Sequence, residues 1–309
     1  LNNPKRTFYI ITQPADMSRL ADWPNNVHWL HYNLVPLSNI DNNPISEYKN
    51  IICLKDKNFN NKQVGISLNR LPRDHRLVFF SYLLGIRLDN YCIITAPLLK
   101  WHLTQSTDNQ DIMNVLNWDF DNHENFKNIM LEGWERAKRE DGLAPITVDA
   151  YPPYDVLEPN QTSFTNSANY TKNLVPLYQN SFVEFVTESV YNFDLAWVTE
   201  KFLNSQLGSN FPIWISGKGT VTWLRKHGFD VFDDIVDHSY DTVQDPVIRM
   251  QNCVKNNINL FQNYNKTKEL WTKNKHRFQK NVDCFFNLQY EILKSSRKKL
   301  DYWLTKHVL

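Results

Sequence analysis

The sequence predicts an α/β protein assembled from βαβ units, and three observations carry that reading. Residues 182–217 run strand, loop, helix, strand. Residues 62–95 repeat the same order, and from Asp245 onward the pattern turns helical to the end. Short apolar strands alternating with helices of this kind form parallel sheets, and their ligands bind at the carboxyl ends of the strands.

Within the first unit, Phe182–Thr187 and Phe211–Ile215 are short runs rich in aromatic and β-branched residues, the composition of buried strands. Between them Thr199 suits a helix cap, Glu200 and Lys201 fill the first turn, and Phe202, Leu203 and Leu207 give an apolar stripe that Gly208 stops. In the second unit, Val64–Leu68 reads as a strand and Arg76–Leu84 as an apolar helix face. The turn between them holds Arg70, Arg73, His75 and Arg76, with Pro72 shaping it.

The remaining elements follow in order. Residues 7–14, 27–34 and 50–55 read as strands between Pro- and Asn-rich turns, which gives a small N-terminal α/β lobe. Residues 123–140 predict a helix, while 150–169, rich in Pro, Asn, Ser and Thr, predicts a loop able to shape an acceptor cleft. Thr220–Phe229 reads as an amphipathic helix ended by Gly228. After it, Asp233, Asp234, Asp237 and Asp241 lack EF-hand spacing and read as turn and cap residues, with Asp237, His238 and Tyr240 near the mouth of the site. Met250, Val254, Ile258 and Phe261 form one helical stripe, and Phe285, Leu288, Ile292 and Leu293 another. The domains expected are an N-terminal lobe over 1–61, a ligand-binding lobe over 62–245 and a helical segment over 246–309.

Composition narrows the class. In 309 residues, 42% are apolar and 14% aromatic, enough for a sizeable core. A net charge of +1 argues against wholesale nucleic-acid coating, and neither GxGxxG, P-loop, HExxH nor a Cys/His zinc pattern occurs. Cys53, Cys92, Cys253 and Cys284 are scattered through apolar contexts, as expected of buried thiols in a reducing compartment. The longest apolar run, near Leu77–Ile86, is short of a membrane span, and no signal peptide is visible. The expected location is cytoplasmic, in a host cytoplasm if the source is viral.

Chemistry concentrates at Glu200 and Lys201. An ammonium at a helix N-terminus suits a diphosphate, and a carboxylate beside it suits the paired hydroxyls of a ribose, a combination that points to a nucleotide-activated sugar. The same two residues also suit a solvated first turn. The arginine-rich turn before the helix at 76–84 is a natural second phosphate clamp, because guanidinium forks bind phosphate bidentately; a solvated basic loop is its other reading.

The order Glu188-Ser189, then Trp197-Val198-Thr199-Glu200-Lys201, then Pro212-Ile213 with Gly217, resembles the donor-binding signature of the α1,3-fucosyltransferases. Trp197 stands where that family has Tyr, and the Asn between its Glu and Ser is missing here. The resemblance implies that Glu200 binds the nucleotide ribose, Lys201 the diphosphate, and Trp197 lines the donor site. The family's strand, Asn-containing turn, Arg and helix fall here on Asn69 and then Arg73 or Arg76. It further implies two facing Rossmann-like lobes, the GT-B arrangement, with a helical C-terminal segment, and metal-independent transfer from a GDP- or UDP-linked sugar with inversion and no separate cofactor. A carboxylate takes the acceptor proton in such a reaction. Glu188 is one candidate for this catalytic base, and Asp16 and Asp22, after the first strand, are the others.

The acceptor stays open between a glycan hydroxyl and a hydroxymethylated base in DNA. Lys266, Lys268, Lys273, Lys275, Arg277 and Lys280, interleaved with Trp271, His276 and Phe278, and then Lys294, Arg297, Lys298 and Lys299, could follow a phosphate backbone. They also fit a solvated helix face over core aromatics. A catalytically inactive nucleotide- or glycan-binding protein is the reading outside enzymes.

Overall fold

The computed structural model describes residues 8–12, 27–31, 55–58, 63–69, 73–95, 120, 122–139, 175–191, 196 and 198–307. Strands β1 (Phe8–Thr12) and β2 (Val27–His31) pair in parallel, Phe8 opposite Val27 and Thr12 opposite His31. A larger parallel sheet contains β3 (Gly65–Leu68), β4 (Cys92–Thr95), β5 (Val183–Thr187) and β6 (Phe211–Ile215) in the order β4-β3-β5-β6. The chain therefore leaves β3 for β4 on one side, returns to β5 on the other, and continues outward to β6. The crevice between β3 and β5 is the point where the winding reverses, the usual ligand position in open parallel sheets.

Strands this apolar need cover on both faces. On one face Val183, Phe185, Phe211, Ile213 and Ile215 pack with α1 (Asp74–Gly85), α2 (Glu124–Lys138), α6 (Pro246–Lys255) and α7 (Ile258–Gln262). On the other, Ile66, Val186 and Trp214 meet α3 (Val175–Gln179), α4 (Glu200–Leu207) and α5 (Thr220–Lys226). The last helix, α8 (Tyr264–His307), spans 44 residues, about 66 Å at 1.5 Å each. It gives Trp271 and Phe278 to the first core and Val282, Phe285 and Phe286 to the second, and it reaches β2. Gly65 is required by packing: a Cβ there would lie 2.3 Å from the Phe261 ring, which stacks on Phe185 at 4.9 Å.

Local chemistry sets the helix ends. Asp245 caps α6, its Oδ1 accepting from Val247 N at 2.8 Å and Ile248 N at 3.0 Å, with Pro246 in the first turn. Thr199 caps α4 and Gly208 follows its last residue. The unit expected at 182–217 thus falls at Val183–Thr187, Glu200–Leu207 and Phe211–Ile215, and the helix expected at 123–140 at Glu124–Lys138. The loop at 150–169, and the strand at 50–55 apart from Lys55, lie outside the described residues.

At the amino end of the sheet the turn from Ser205 to Asn210 is wholly buried, so its polar groups need internal partners. Lys57, only 6% exposed, supplies two: its ammonium donates to Gly208 O at 2.5 Å and Asn210 Oδ1 at 2.6 Å, and also to Tyr178 O of α3 at 2.8 Å. Trp271 Nε1 donates to Ser209 O at 2.8 Å, and Asn281 Nδ2 to Gln206 Oε1 at 2.8 Å. The Lys57 side chain thus packs beneath the amino ends of β5 and β6.

Candidate functional site

The site is built at the carboxyl ends of β3 and β5. Beyond β3 comes Asn69, buried, with Nδ2 donating to Ser67 Oγ at 2.9 Å and Oδ1 left without a partner. Helix α1 then starts at Asp74 with no side-chain cap on its N-terminus. Its first residues reach across to three consecutive carbonyls at the end of β5. Arg76 donates through one Nη to Thr187 O at 2.9 Å and Glu188 O at 3.2 Å, His75 Nε2 bonds Glu188 O at 2.9 Å, and Arg73 donates to Ser189 O at 3.1 Å. These bonds fasten the turn after β3 to the exit of β5.

The two arginines differ in exposure. Arg76 is 3% exposed and works as internal scaffold, whereas Arg73 is exposed. Burial lowers the basicity of His75 to a pKa of about 3, and the nearby charges of Arg76, Arg73 and Lys201 lower it further, against the Glu188 carbonyl that raises it. His75 is therefore a neutral imidazole at physiological pH, with Nε2–H donated to the carbonyl. It stacks on Tyr191 at 5.6 Å, and the Arg249 guanidinium lies over the Tyr191 ring at 4.6 Å. Three cations from two helix starts thus surround one uncharged ring.

Glu188, one residue past β5, is 0% exposed. Its Oε1 accepts from Thr199 N at 3.1 Å and its Oε2 from Thr199 Oγ1 at 2.6 Å. Thr199 Oγ1 in turn accepts from Lys201 N at 3.4 Å and Lys201 Nζ at 3.3 Å. Of the residues predicted from sequence, Asn69, Arg73, Arg76, Glu188, Thr199 and Lys201 come together here. Glu200 opens α4 with its backbone, while its side chain, together with Asp16, Asp22, Arg70 and Trp197, lies outside what is described. Sequence reasoning missed the neutral state of His75, since nothing in the spacing says that the ring is covered by Tyr191 from a loop more than a hundred residues away.

The acidic loop after α5 has a different job. An open cleft of about 500 Å³ runs between Thr222, Arg225 and residues 233–239, 241 and 242, but its carboxylates are committed. Asp233 takes a two-pronged bond from Arg225 at 2.6 and 2.7 Å, which chiefly lowers its pKa to about 2. Asp234 binds Arg277, Asp237 accepts from Ser239 N at 2.8 Å, and Asp241 caps α5 through Val221 N and Thr222 N, both at 3.0 Å. His238 and Tyr240 lie along the outer edge of β6, Tyr240 Oη accepting from Trp214 N at 2.8 Å, and so shield an edge strand. They belong to the β6 flank. Among the described residues no group of three or more His, Cys, Asp or Glu side chains could hold a metal ion, and no helix is long and apolar enough to cross a membrane.

The fold and site define an α/β protein with cationic side chains gathered at the reversal point of a parallel sheet. No protein-family model matches the chain, and no curated protein or solved structure matches it.

Proposed function

We propose that the chain is a glycosyltransferase that binds a GDP- or UDP-linked sugar at the carboxyl ends of β3 and β5 and transfers the sugar, with inversion, to a hydroxyl of a glycan. One observation carries the reading: Arg73 and Arg76 bond the carbonyls of residues 187–189, and Lys201 is tied through Thr199 to Glu188, so three cationic side chains gather at the reversal point between β3 and β5. Cationic donors gathered in this way suit a compact polyanion, and the two helix N-termini beside them add to the attraction. Arg73 and Lys201 are the groups suited to touch the diphosphate, because Arg76 is buried against carbonyls. They would stabilise the charge that grows on the departing diphosphate as the acceptor oxygen attacks the anomeric carbon. Glu200, in the first turn of α4, is assigned to the ribose and Trp197 to the donor wall. Glu188, closed off and engaged twice by Thr199, is poorly suited to take a proton from an acceptor, which leaves Asp16 and Asp22 as candidates for the base. A second Rossmann-like lobe, begun by β1 and β2, would carry them to the facing side of the donor.

Transfer to DNA loses part of its support. Trp271 and Phe278 are core residues, 1% and 0% exposed, and cannot stack on bases, and Arg277 is held by Asp230 and Asp234. The deciding experiment is calorimetric titration with GDP, UDP, CMP and their sugar conjugates, with and without divalent metal. Selective micromolar binding of one nucleoside diphosphate that Lys201→Ala weakens about 10- to 100-fold is the expected result, matching the usual worth of a charged hydrogen bond. Absence of binding to every nucleotide would remove the reading.

A further inference from the structure

The geometry points to Glu188 and Thr199 as a positioning pair that holds the Lys201 ammonium in place for the anion; the inference rests on the donor-site reading above. A threonine hydroxyl has one proton and two lone pairs. At Thr199 the proton is directed at Glu188 Oε2, 2.6 Å away, the short distance of a charge-assisted bond. The lone pairs are thereby left for Lys201, whose backbone N and Nζ lie 3.4 and 3.3 Å from the same oxygen. The carboxylate sets the direction of the whole chain, since it faces two donors of Thr199, N–H and O–H, and only a group accepting on both oxygens satisfies both. Reversed, the hydroxyl would aim its proton at the ammonium.

A cap by itself requires only the contact from Thr199 Oγ1 to Lys201 N. The additional contact to Nζ fixes where the charge of a flexible four-carbon side chain rests, on the side of α4 near enough to Arg73 and Arg76 for all three to act on His75. Neither Glu188 nor Thr199 has to touch the ligand to do this.

The test uses the full chain, inorganic pyrophosphate and one nucleoside diphosphate as probes, and calorimetry. Thr199→Val keeps the shape and removes the hydroxyl, Thr199→Ser keeps the hydroxyl, and Glu188→Gln replaces one acceptor with a donor. Thr199→Val and Glu188→Gln should each weaken pyrophosphate binding about 10-fold, with Thr199→Ser within about twofold of the parent. In the Lys201→Ala background the Thr199→Val effect should vanish, a coupling that a purely structural role of the cap would not produce. If Lys201→Ala loses affinity while Thr199→Val binds like the parent, or if the Thr199→Val loss persists undiminished without Lys201, the positioning role is overturned and the site reading stands. If the parent binds neither probe, the site reading falls and takes the inference with it. Should Glu188→Gln fail to fold, the Thr199 pair decides alone.

Discussion

The buried carboxyl of Glu184 should make this protein lose stability as pH rises through the neutral range, and Glu184→Gln should abolish that loss. Glu184 lies in the central strand β5, 3% exposed. Burial raises its pKa from 4.5 to about 8, against the Tyr178 hydroxyl, the neighbouring Ser205 and the Lys57 ammonium, which pull it down, and with a small push from Glu188. Because the folded pKa is the higher one, the folded chain keeps a proton that the unfolded chain releases above 4.5. The stability from this proton is complete below that pH, declines as pH rises, and is gone above about 8. Each pH unit in the window costs about 1.4 kcal/mol, so pH 7 is worse than pH 4.5 by about 3 kcal/mol on account of this one group.

Glutamine has nearly the same shape and no proton to lose. Its carbonyl can still accept from the Tyr178 hydroxyl, now 3.1 Å from Glu184 Oε1. Urea unfolding followed by far-ultraviolet circular dichroism at pH 5, 6, 7 and 8 reads the difference. Glu184→Gln should gain on the parent by about 1.4 kcal/mol per unit across this range, while the two stay close at pH 5. Parallel profiles for parent and variant from pH 5 to 8 would refute the buried neutral carboxyl and the network around it.

Other substitutions separate scaffold from ligand contacts. Arg76→Ala removes the donor to Thr187 O and Glu188 O and should destabilise the fold by about 2–4 kcal/mol in the same denaturation assay, while exposed Arg73→Ala should change stability by less than about 0.5 kcal/mol yet weaken diphosphate binding. Lys57→Met leaves Tyr178 O, Gly208 O and Asn210 Oδ1 buried without their common donor, and a loss of about 3 kcal/mol or more is expected in urea. Gly65→Ala, whose Cβ would meet the Phe261 ring at 2.3 Å, should cost about 1–3 kcal/mol, and Gly65→Ala combined with Phe261→Leu should recover part of it.

Local rules carried much of the fold. Thr199 and Gly208 bracket α4 because a hydroxyl cap and a glycine stop act within a few residues, and the strands at 183–187 and 211–215 are uniformly buried runs with no competing helical pattern. The boundaries at the site were equally local: Arg73 precedes α1, and Lys201 sits in the first turn of α4. What the residues could not disclose was long-range. The choice between Arg73 and Arg76 as the proposed phosphate contact turns on which of them is buried against the Thr187 and Glu188 carbonyls, 111 and 112 residues further along the chain. Lys57 carries no local signal, and its partners in the 205–210 turn, Gly208 and Asn210, lie 151 and 153 residues away. The acidic run at 233–241 reads as turn and cap residues from its spacing, but which partner each carboxylate takes, Arg225, Arg277 or the start of α5, is set across the fold.

The two ends of the sheet handle the same problem in opposite ways, and the contrast bears on function. At the amino end, a buried polar turn takes partners from Lys57, Trp271 and Asn281, and burial holds the Glu184 carboxyl neutral. At the carboxyl end, the buried carboxylate of Glu188 is engaged by Thr199, the imidazole is kept uncharged, and Arg73 and Lys201 remain on the accessible side with their positive charge. Bringing like charges together around a buried neutral ring is unfavourable for the chain alone. A bound anion would relieve that repulsion, so ligand should stabilise the protein more at low ionic strength than at high, and a thermal shift with pyrophosphate that is insensitive to salt between about 0.05 and 0.5 M would count against an electrostatic site here.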